Sequence, residues 1–194
     1  MADKITYEQL RISCRFTFLT IHKCCIKSKY GEHTSAAVSG IVKGESVKTD
    51  LMDISNEKLE IFSQNKDGSR KLLFTGVVRN IRLKEEGQYA ILHVNAVSYT
   101  WKMDIERKSR SFQNLSLTYQ DVVQAVAGEY AANVRWNIED RPLQYPLIQY
   151  QETDYNFLKR IVSHLQGKIA PESSSPGTEV SFYAGMREGN NRGI

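Results

Sequence analysis

Apolar and polar residues alternate through most of the first hundred positions, and this alternation is typical of half-buried β-strands. The first predicted strand extends from Leu10 to His22, with Ile12 and Cys14 on the same face as Leu10. Further strands are predicted over residues 36–42, 59–63, 71–84 and 88–99. The 71–84 strand is expected to bend at Gly76, because glycine within a strand often marks an irregularity.

Tight turns are predicted between neighbouring strands. Asn65–Gly68 and Lys84–Gly87 each place a glycine where the backbone of a hairpin turn needs a positive φ. Short sequential antiparallel strands joined by such turns favour a small β-barrel or sandwich.

Two helices are predicted after Trp101. Thr118 is expected to cap the first, which ends near Tyr130. Thr153 is expected to cap the second, with the charge of Asp154 at the positive end of the helix dipole and Gly167 at the helix end. Its buried face is predicted from the spacing of Phe157, Leu158, Ile161, Val162 and Leu165. With extended segments at 147–150 and 179–184, the chain is predicted to be mainly β with α-helices (α+β).

Composition excludes several classes of protein. The 26 Lys and Arg residues against 22 Asp and Glu give a net charge of +4, which does not by itself indicate nucleic-acid binding. Three cysteines cannot form a disulfide framework. No apolar run reaches the roughly 20 residues that cross a bilayer, and the first residues lack the pattern of a signal peptide. Synthesis in the cytoplasm is therefore expected.

The sequence contains few residues that suggest catalysis, metal binding or cofactor binding. His22, Cys24, Cys25 and His33 are the one cluster with metal-ligand residue types, but adjacent cysteines rarely bind the same ion, so we interpret them as residues at strand ends. No phosphate-binding glycine loop and no zinc-protease or serine-hydrolase motif occurs. We therefore expect no catalytic residue, no cofactor and no metal.

The remaining charged groups also have structural interpretations. Nothing near Cys14 or Cys25 marks a catalytic nucleophile, and the Glu85–Glu86 pair falls at a turn. Glu152 and Asp154 flank a helix start, where the helix dipole accounts for them. The basic run Arg107, Lys108 and Arg110 is interpreted as a solvated linker.

One segment carries a resemblance to a known family. Residues 147–161 are similar to the Q-Y-x-E-[ST]-D-x-x-F-L-x-R-[IL] segment of VgrG-type spike proteins and of the phage late control protein D family of baseplate hubs. The matching positions are Gln149, Tyr150, Glu152, Thr153, Asp154, Phe157, Leu158, Arg160 and Ile161. Residues 73–78 and 109–114 resemble two further segments of that family, in the family's order. On the physical interpretation of this motif, Tyr150 and Phe157 pack the helix onto a barrel.

The resemblance implies a structural role. It implies a hub of two related β-barrels per subunit, assembled as a homotrimer with pseudo-six-fold symmetry, that joins the tail tube to a central spike in a phage tail or related injection particle. The implied domains are a first β-barrel (1–103), a linker and helical segment (104–146), and a helix with the start of a truncated second barrel (147–194). In that truncated barrel, Phe182 and Tyr183 are expected to lack partners.

Two other functions remain open from the sequence. The chain could be the non-catalytic hub part of a tail-associated peptidoglycan hydrolase. A barrel with Tyr89, Tyr99 and Trp101 could also bind oligonucleotides, although acidic residues are interleaved with the basic ones. We expect neither nucleic-acid binding nor a membrane span.

Overall fold

The computed structural model describes residues 9–43, 57–86, 89–174 and 180–185, and the chain divides into two compact units. The first unit contains the described residues of Met1–Lys27, Thr34–Ser98 and Ser173–Thr178. The second contains those of Ser28–His33, Tyr99–Glu172 and Glu179–Ile194. Strands predominate, so the predicted mainly β fold with α-helices is confirmed. Across the described ranges, no helix is long and apolar enough to cross a membrane.

The first unit is a six-stranded antiparallel sheet that curls into a half-barrel. Its strands are β1 (Leu10–Ser13), β2 (Phe18–Lys27), β3 (Ser35–Lys43), β4 (Lys58–Gln64), β5 (Arg70–Glu86) and β6 (Tyr89–Val97). They lie in the order β1-β4-β5-β6-β3-β2, so β1 and β2 form the two edges. Every predicted strand of this region is present, with one division described below.

One face of this sheet holds the core. Side chains alternate between the two faces of a strand, so each strand contributes every second residue. Leu59, Ile61, Phe74 and Leu92 are fully buried there. The alternating polarity of the sequence therefore decides which face of the sheet is buried.

The predicted single strand from Leu10 to His22 is wrong, because the chain bends at residues 14–16 and forms β1 and β2. Phe16 lies in this bend and is buried in the core with 6% of its surface exposed. β1 pairs with β4 and β2 pairs with β3, so the two halves of the predicted strand lie at opposite edges of the sheet. Burial of one aromatic ring is the physical reason for the division.

Two glycines of the first unit occupy positions that other residues would not fit. Gly68 has φ +85° and its amide donates to the Asn65 carbonyl at 3.0 Å, which confirms the predicted turn. A Cβ at Gly76 would lie 2.3 Å from the Val97 carbonyl oxygen, so this position needs glycine for close strand approach. The irregularities of β5 flank it, with register shifts between Ile61 and Phe62 of β4 and between Val78 and Asn80. Gly87, in the second predicted turn, lies outside the described residues.

The second unit combines short strands with two helices. After a 3-10 helix (Tyr99–Asp104) come β7 (Arg107–Phe112), α1 (Tyr119–Gly128), β8 (Asn133–Asn137), β9 (Leu147–Thr153), α2 (Asp154–Ser163), β10 (Lys168–Pro171) and β11 (Ser181–Gly185). β7 and β9 form an antiparallel pair. β10, β11 and β8 form a three-stranded sheet in that order, in which β11 runs parallel to β8. Sequence analysis did not predict β7, β8 or β10.

The predicted helices are present, and their starts are confirmed. The Thr118 side chain accepts from the Asp121 amide, and Asp121 accepts from the Thr118 amide, which is a complete capping box. The predicted end of α2 at Gly167 is wrong, because the helix ends at Ser163 and Gln166 adopts a φ of +57°. Gly167 instead packs closely on Ile138, whose Cδ1 would lie 2.3 Å from a Cβ at this position and would have to shift.

The expectation that Phe182 lacks partners is wrong. β11 is paired on both sides, by β10 and by β8, and the Phe182 side chain is fully buried. Tyr183 lies on the other face, where its hydroxyl accepts from the Asn137 side chain at 2.9 Å. β8, a parallel strand from about fifty residues earlier in the sequence, pairs with β11 and so supplies the partner that was expected to be missing.

Candidate functional site

The segment 149–161 forms a strand-to-helix junction, where β9 ends and α2 begins. Thr153 has extended φ and ψ of −70° and 155°, and its hydroxyl oxygen accepts from the Asn156 amide. The same hydroxyl donates to Asp104 of the 3-10 helix. Capping of this kind satisfies an amide that the helix itself cannot satisfy.

The next residue, Asp154, is a fully buried carboxylate. Its Oδ2 accepts from the Tyr130 hydroxyl at 2.6 Å and lies 2.8 Å from Lys108 Nζ. Its Oδ1 accepts from Gln149 Nε2 at 2.8 Å and from the Arg110 guanidinium. A buried carboxylate with four donors is stabilised against the cost of leaving water.

A second acidic residue completes this cluster. Glu129, directly after α1, accepts from Lys108 Nζ at 2.6 Å and from Arg110. Two cations and two carboxylates therefore meet with no net charge. We call Lys108, Arg110, Glu129, Tyr130, Gln149 and Asp154 the junction cluster. It ties β7, the end of α1, β9 and the start of α2 together at one carboxylate.

Contacts within the junction cluster shift the pKa values of its acidic residues and of Tyr130. Burial favours the neutral form of Asp154, but the hydrogen bonds from Lys108, Tyr130 and Gln149 outweigh it and hold the pKa below the usual value. Hydrogen bonds from Lys108, with those from Arg110, lower the pKa of Glu129. Burial, with the hydrogen bond donated to Asp154, raises the pKa of Tyr130 to about 12. The cluster is therefore fully ionised near neutral pH, with Tyr130 as a donor.

Two histidines also have lowered pKa values in the folded chain. Burial lowers the pKa of His33 despite the nearby Asp104, and burial with the charges of Arg160 and Arg141 lowers the pKa of His164. In the His33 ring, Nδ1 lies 2.8 Å from Thr100 Oγ1 and Nε2 lies 3.0 Å from Asp104 Oδ2. Both imidazoles are therefore neutral in the folded chain at neutral pH.

Stability is expected to fall on acidification in two stages. Between about pH 6.5 and the lower pKa values of folded His33 and His164, the unfolded chain takes up protons first, so the free energy of unfolding decreases. Below about pH 4, protonation of Asp154 and Glu129 removes the carboxylate contribution. Urea denaturation at several pH values measures both stages. His33→Gln with His164→Gln should flatten the first stage alone, and a stability that rises on acidification would contradict the assignment.

The other motif residues divide between core and surface. Phe157 and Leu158 are fully buried, and the Phe157 ring stacks on Phe112 of β7 at 5.8 Å. Arg160 reaches back to β9, where its Nη2 donates to Glu152 Oε2 at 2.8 Å and to the Ile148 carbonyl at 2.7 Å. These contacts hold α2 against the β7–β9 pair.

The prediction that Tyr150 packs the helix onto a barrel is wrong. Its side chain is 75% exposed, and its neighbour on the same face of β9, Ile148, is 60% exposed. Leu147 and Gln149 alternate with them and are buried. β9 therefore presents Ile148 and Tyr150 outward, on a face that we call the outer β9 face.

The interpretation of residues 107–110 as a solvated linker is also wrong. β7 pairs with β9, and Lys108 and Arg110 are half-buried because they point at Asp154. Arg107 is exposed and lines a shallow groove beside α2 with Asn156 and Lys159. The helix dipole accounts for only part of the environment of Asp154, whose side-chain partners come from β7, from Tyr130 after α1 and from β9.

The other candidate residues show no catalytic arrangement in the described ranges. Burial raises the pKa of the Cys14 and Cys24 thiols, which disfavours the nucleophilic thiolate. His33 contacts Thr100 and Asp104, and the ring of Tyr155 lies 4.1 Å from it. Thr100 is only 1% exposed, so its hydroxyl is shielded from solvent. Nowhere in the described residues do three His, Cys, Asp or Glu side chains gather as metal ligands.

Sequence reasoning missed the junction cluster because its members are far apart along the chain. The alternation of Lys108 and Arg110 at spacing two was the available signal, since it places both cations on one face of a strand. Recognising that strand would have required its partner, β9.

Comparison with models of known protein families gives a match over more than half of the chain. The family model of the phage tail baseplate hub (GPD) matches residues 38–165. No curated protein matches the sequence. The matched residues include the whole junction cluster.

Solved structures share the fold at low sequence identity. A 43 kDa tail protein of prophage MuSo2 from Shewanella oneidensis is 12% identical, with a TM-score of 0.63 over 91% of this chain and 53% of its own. A tail protein from Neisseria meningitidis MC58 is 14% identical, with a TM-score of 0.61 over 91% and 50%. The E. coli c3393 protein, a type VI secretion component described as similar to T4 bacteriophage tail proteins gp27 and gp5, is 11% identical, with a TM-score of 0.59 over 89% and 48%. The chain thus spans about half the length of these proteins.

Proposed function

The chain belongs to the phage tail baseplate hub (GPD) family, and from this membership we propose that it is a structural hub joining the tail tube to the central spike. The particle is a contractile phage tail or a related injection particle, into which the protein is assembled after synthesis in the bacterial cytoplasm. The match of the family model over residues 38–165 carries the proposal. Likeness to the solved tail proteins supports the fold on which it depends.

The junction cluster suits a protein that transmits load and performs no reaction. Four elements of the second unit are linked through Asp154, and each link is a charge-assisted or directed hydrogen bond. We propose that the hub has no catalytic activity of its own.

We further propose a homotrimer with pseudo-six-fold symmetry, built from two related barrels per subunit, the second of which begins near Leu147. A closed ring needs a heterologous contact between neighbouring subunits. The outer β9 face supports this proposal, because adjacent exposed apolar side chains such as Ile148 and Tyr150 commonly mark protein contacts. In the ring this face contacts the next subunit.

The assembly state of the complete gene product tests this function. Light scattering should give the mass of a trimer, and electron microscopy should show it bound at one end of purified tail tubes. Ile148→Ser with Tyr150→Ser should shift the trimer toward monomer by at least tenfold in the equilibrium constant, or about 1.4 kcal/mol. Leu115→Ser, at a residue 47% exposed on a loop of the same unit, is the matched control and should leave the trimer intact.

Two results would contradict the proposed hub function. The first is a complete gene product that stays monomeric at high concentration and does not bind the tube. The second is turnover of purified peptidoglycan by this chain that is abolished by a single substitution such as His33→Gln.

A further inference from the structure

We propose that the face of the six-stranded sheet opposite its core carries a basic groove that binds an acidic surface of a neighbouring protein. The groove is lined by Lys23, Ala37, Val38, Ser39, Arg82, His93 and Asn95. It lies in the first unit, and its lining residues other than Val38 lie outside the core cluster.

The register of the sheet places its donors in one row. Lys23 of β2 pairs with Ser39 of β3, Ser39 pairs with His93 of β6, and His93 pairs with Arg82 of β5. Directly paired residues point to the same face of a sheet. Four side chains from four neighbouring strands therefore stand side by side across the sheet.

The shape of this row is a shallow trough. Lys23, His93 and Arg82 are exposed, whereas the small Ser39 side chain between them is 9% exposed and forms the floor with Ala37. Strands lie about 4.8 Å apart, so the backbones of Lys23 and Arg82 are separated by about 14 Å. A protruding side chain or chain segment fits between the two cations.

The chemistry of the groove selects an anionic occupant. No acidic side chain is among its lining residues. Lys23 and Arg82 form no ion pair with any residue in the described ranges, unlike Lys58 of β4, which pairs with Glu60 at 2.7 Å. Ammonium, guanidinium, imidazole and amide groups together supply many donors and few acceptors. Carboxylates spaced by about 10–14 Å complement this arrangement.

An acidic protein surface fits the groove better than nucleic acid. Strong sequence-independent DNA binding uses roughly 6–10 phosphate contacts, and this row supplies two permanent cations. Single-stranded nucleic acid requires aromatic faces for base stacking, and no Tyr, Phe or Trp lines the groove. The inference goes beyond the hub function, because binding of an acidic probe does not depend on a trimer or on a tail tube.

Binding of a fluorescein-labelled decaglutamate peptide to the full chain tests the proposal. Fluorescence anisotropy at low salt should show saturable binding that weakens as salt is added. Lys23→Glu with Arg82→Glu should weaken this binding by about tenfold, because each reversal converts an attraction into a repulsion. Arg70→Glu with Lys71→Glu changes the charge equally on exposed positions at the other end of β5, and it should change the affinity less than twofold.

Several results overturn the inference. One is no saturable binding of the peptide, and another is equal weakening by the two charge-reversal pairs. Tighter binding of a 20-base-pair DNA duplex that is lost with Lys23→Glu and Arg82→Glu would make nucleic acid the occupant. Amide chemical shifts provide an independent readout, since peptide should perturb Ser39 and Asn95, and perturbations confined to another face would contradict the groove. Thermal unfolding of each variant verifies that it is folded.

Discussion

Replacing Asp154 with alanine is expected to lower the free energy of unfolding by about 3–5 kcal/mol, the range found when one partner of a buried ion pair is removed. Asp154 is fully buried and receives hydrogen bonds from Gln149, Tyr130 and Arg110. Without the carboxylate, the charges of Lys108 and Arg110 remain half-buried with only Glu129 to balance them. Urea denaturation of the variant and the unmodified chain measures the difference.

Glu129→Ala is the matched control, because Glu129 binds the same two cations from a position 42% exposed. Its removal should cost less than about 1 kcal/mol, as for exposed ion pairs. Asp154→Leu combined with Lys108→Met and Arg110→Met should recover most of the loss, since replacing buried ions together by apolar residues is often nearly neutral, and Glu129, which then lacks both cations, is 42% exposed. Equal losses for Asp154→Ala and Glu129→Ala would show that burial of the carboxylate is not what matters.

Phe157→Ala is expected to lower the free energy of unfolding by about 3–5 kcal/mol, through lost burial and the cavity left behind. The ring is fully buried and stacks on Phe112, and the Arg160 guanidinium lies 5.2 Å from its centre. Chemical denaturation followed by circular dichroism gives this value, and the signal of α2 should be lost together with the rest of the second unit.

Substitutions at two other residues of the same motif distinguish the effect of helix packing from that of helix capping. Thr153→Ala should cost about 1 kcal/mol, the usual loss for an N-cap side chain. Tyr150→Ala, at the 75% exposed aromatic of the motif, should change stability by no more than about 0.5 kcal/mol. A comparable cost for Phe157→Ala and Tyr150→Ala would mean that α2 does not pack as described.

Features that depend on neighbours within a few residues could be predicted from the sequence. The caps at Thr118 and Thr153 and the turn ending at Gly68 are made by side chains and amides three residues apart. Alternation predicted the strands of the first unit, and the burial of Leu59 and Ile61 on one face of β4 follows the same two-residue repeat. The family resemblance of residues 149–161 was likewise local, and the family model confirms it.

Features that depend on distant partners could not be predicted in this way. Phe16 divides the predicted first strand because the core of other strands accepts its ring. Phe182 is buried because β8 lies parallel beside it.

Two basic residues of the interpreted linker illustrate the same limit. Lys108 and Arg110 read as solvated charges until the fold brings up Asp154, which lies 44 positions beyond Arg110. The polarity of each residue and the spacing between polar and apolar residues are known from the sequence alone. Strand periodicity and helix caps can therefore be predicted from it. The desolvation of a charge, and the partner that offsets it, exist only once segments far apart in the chain are packed against each other.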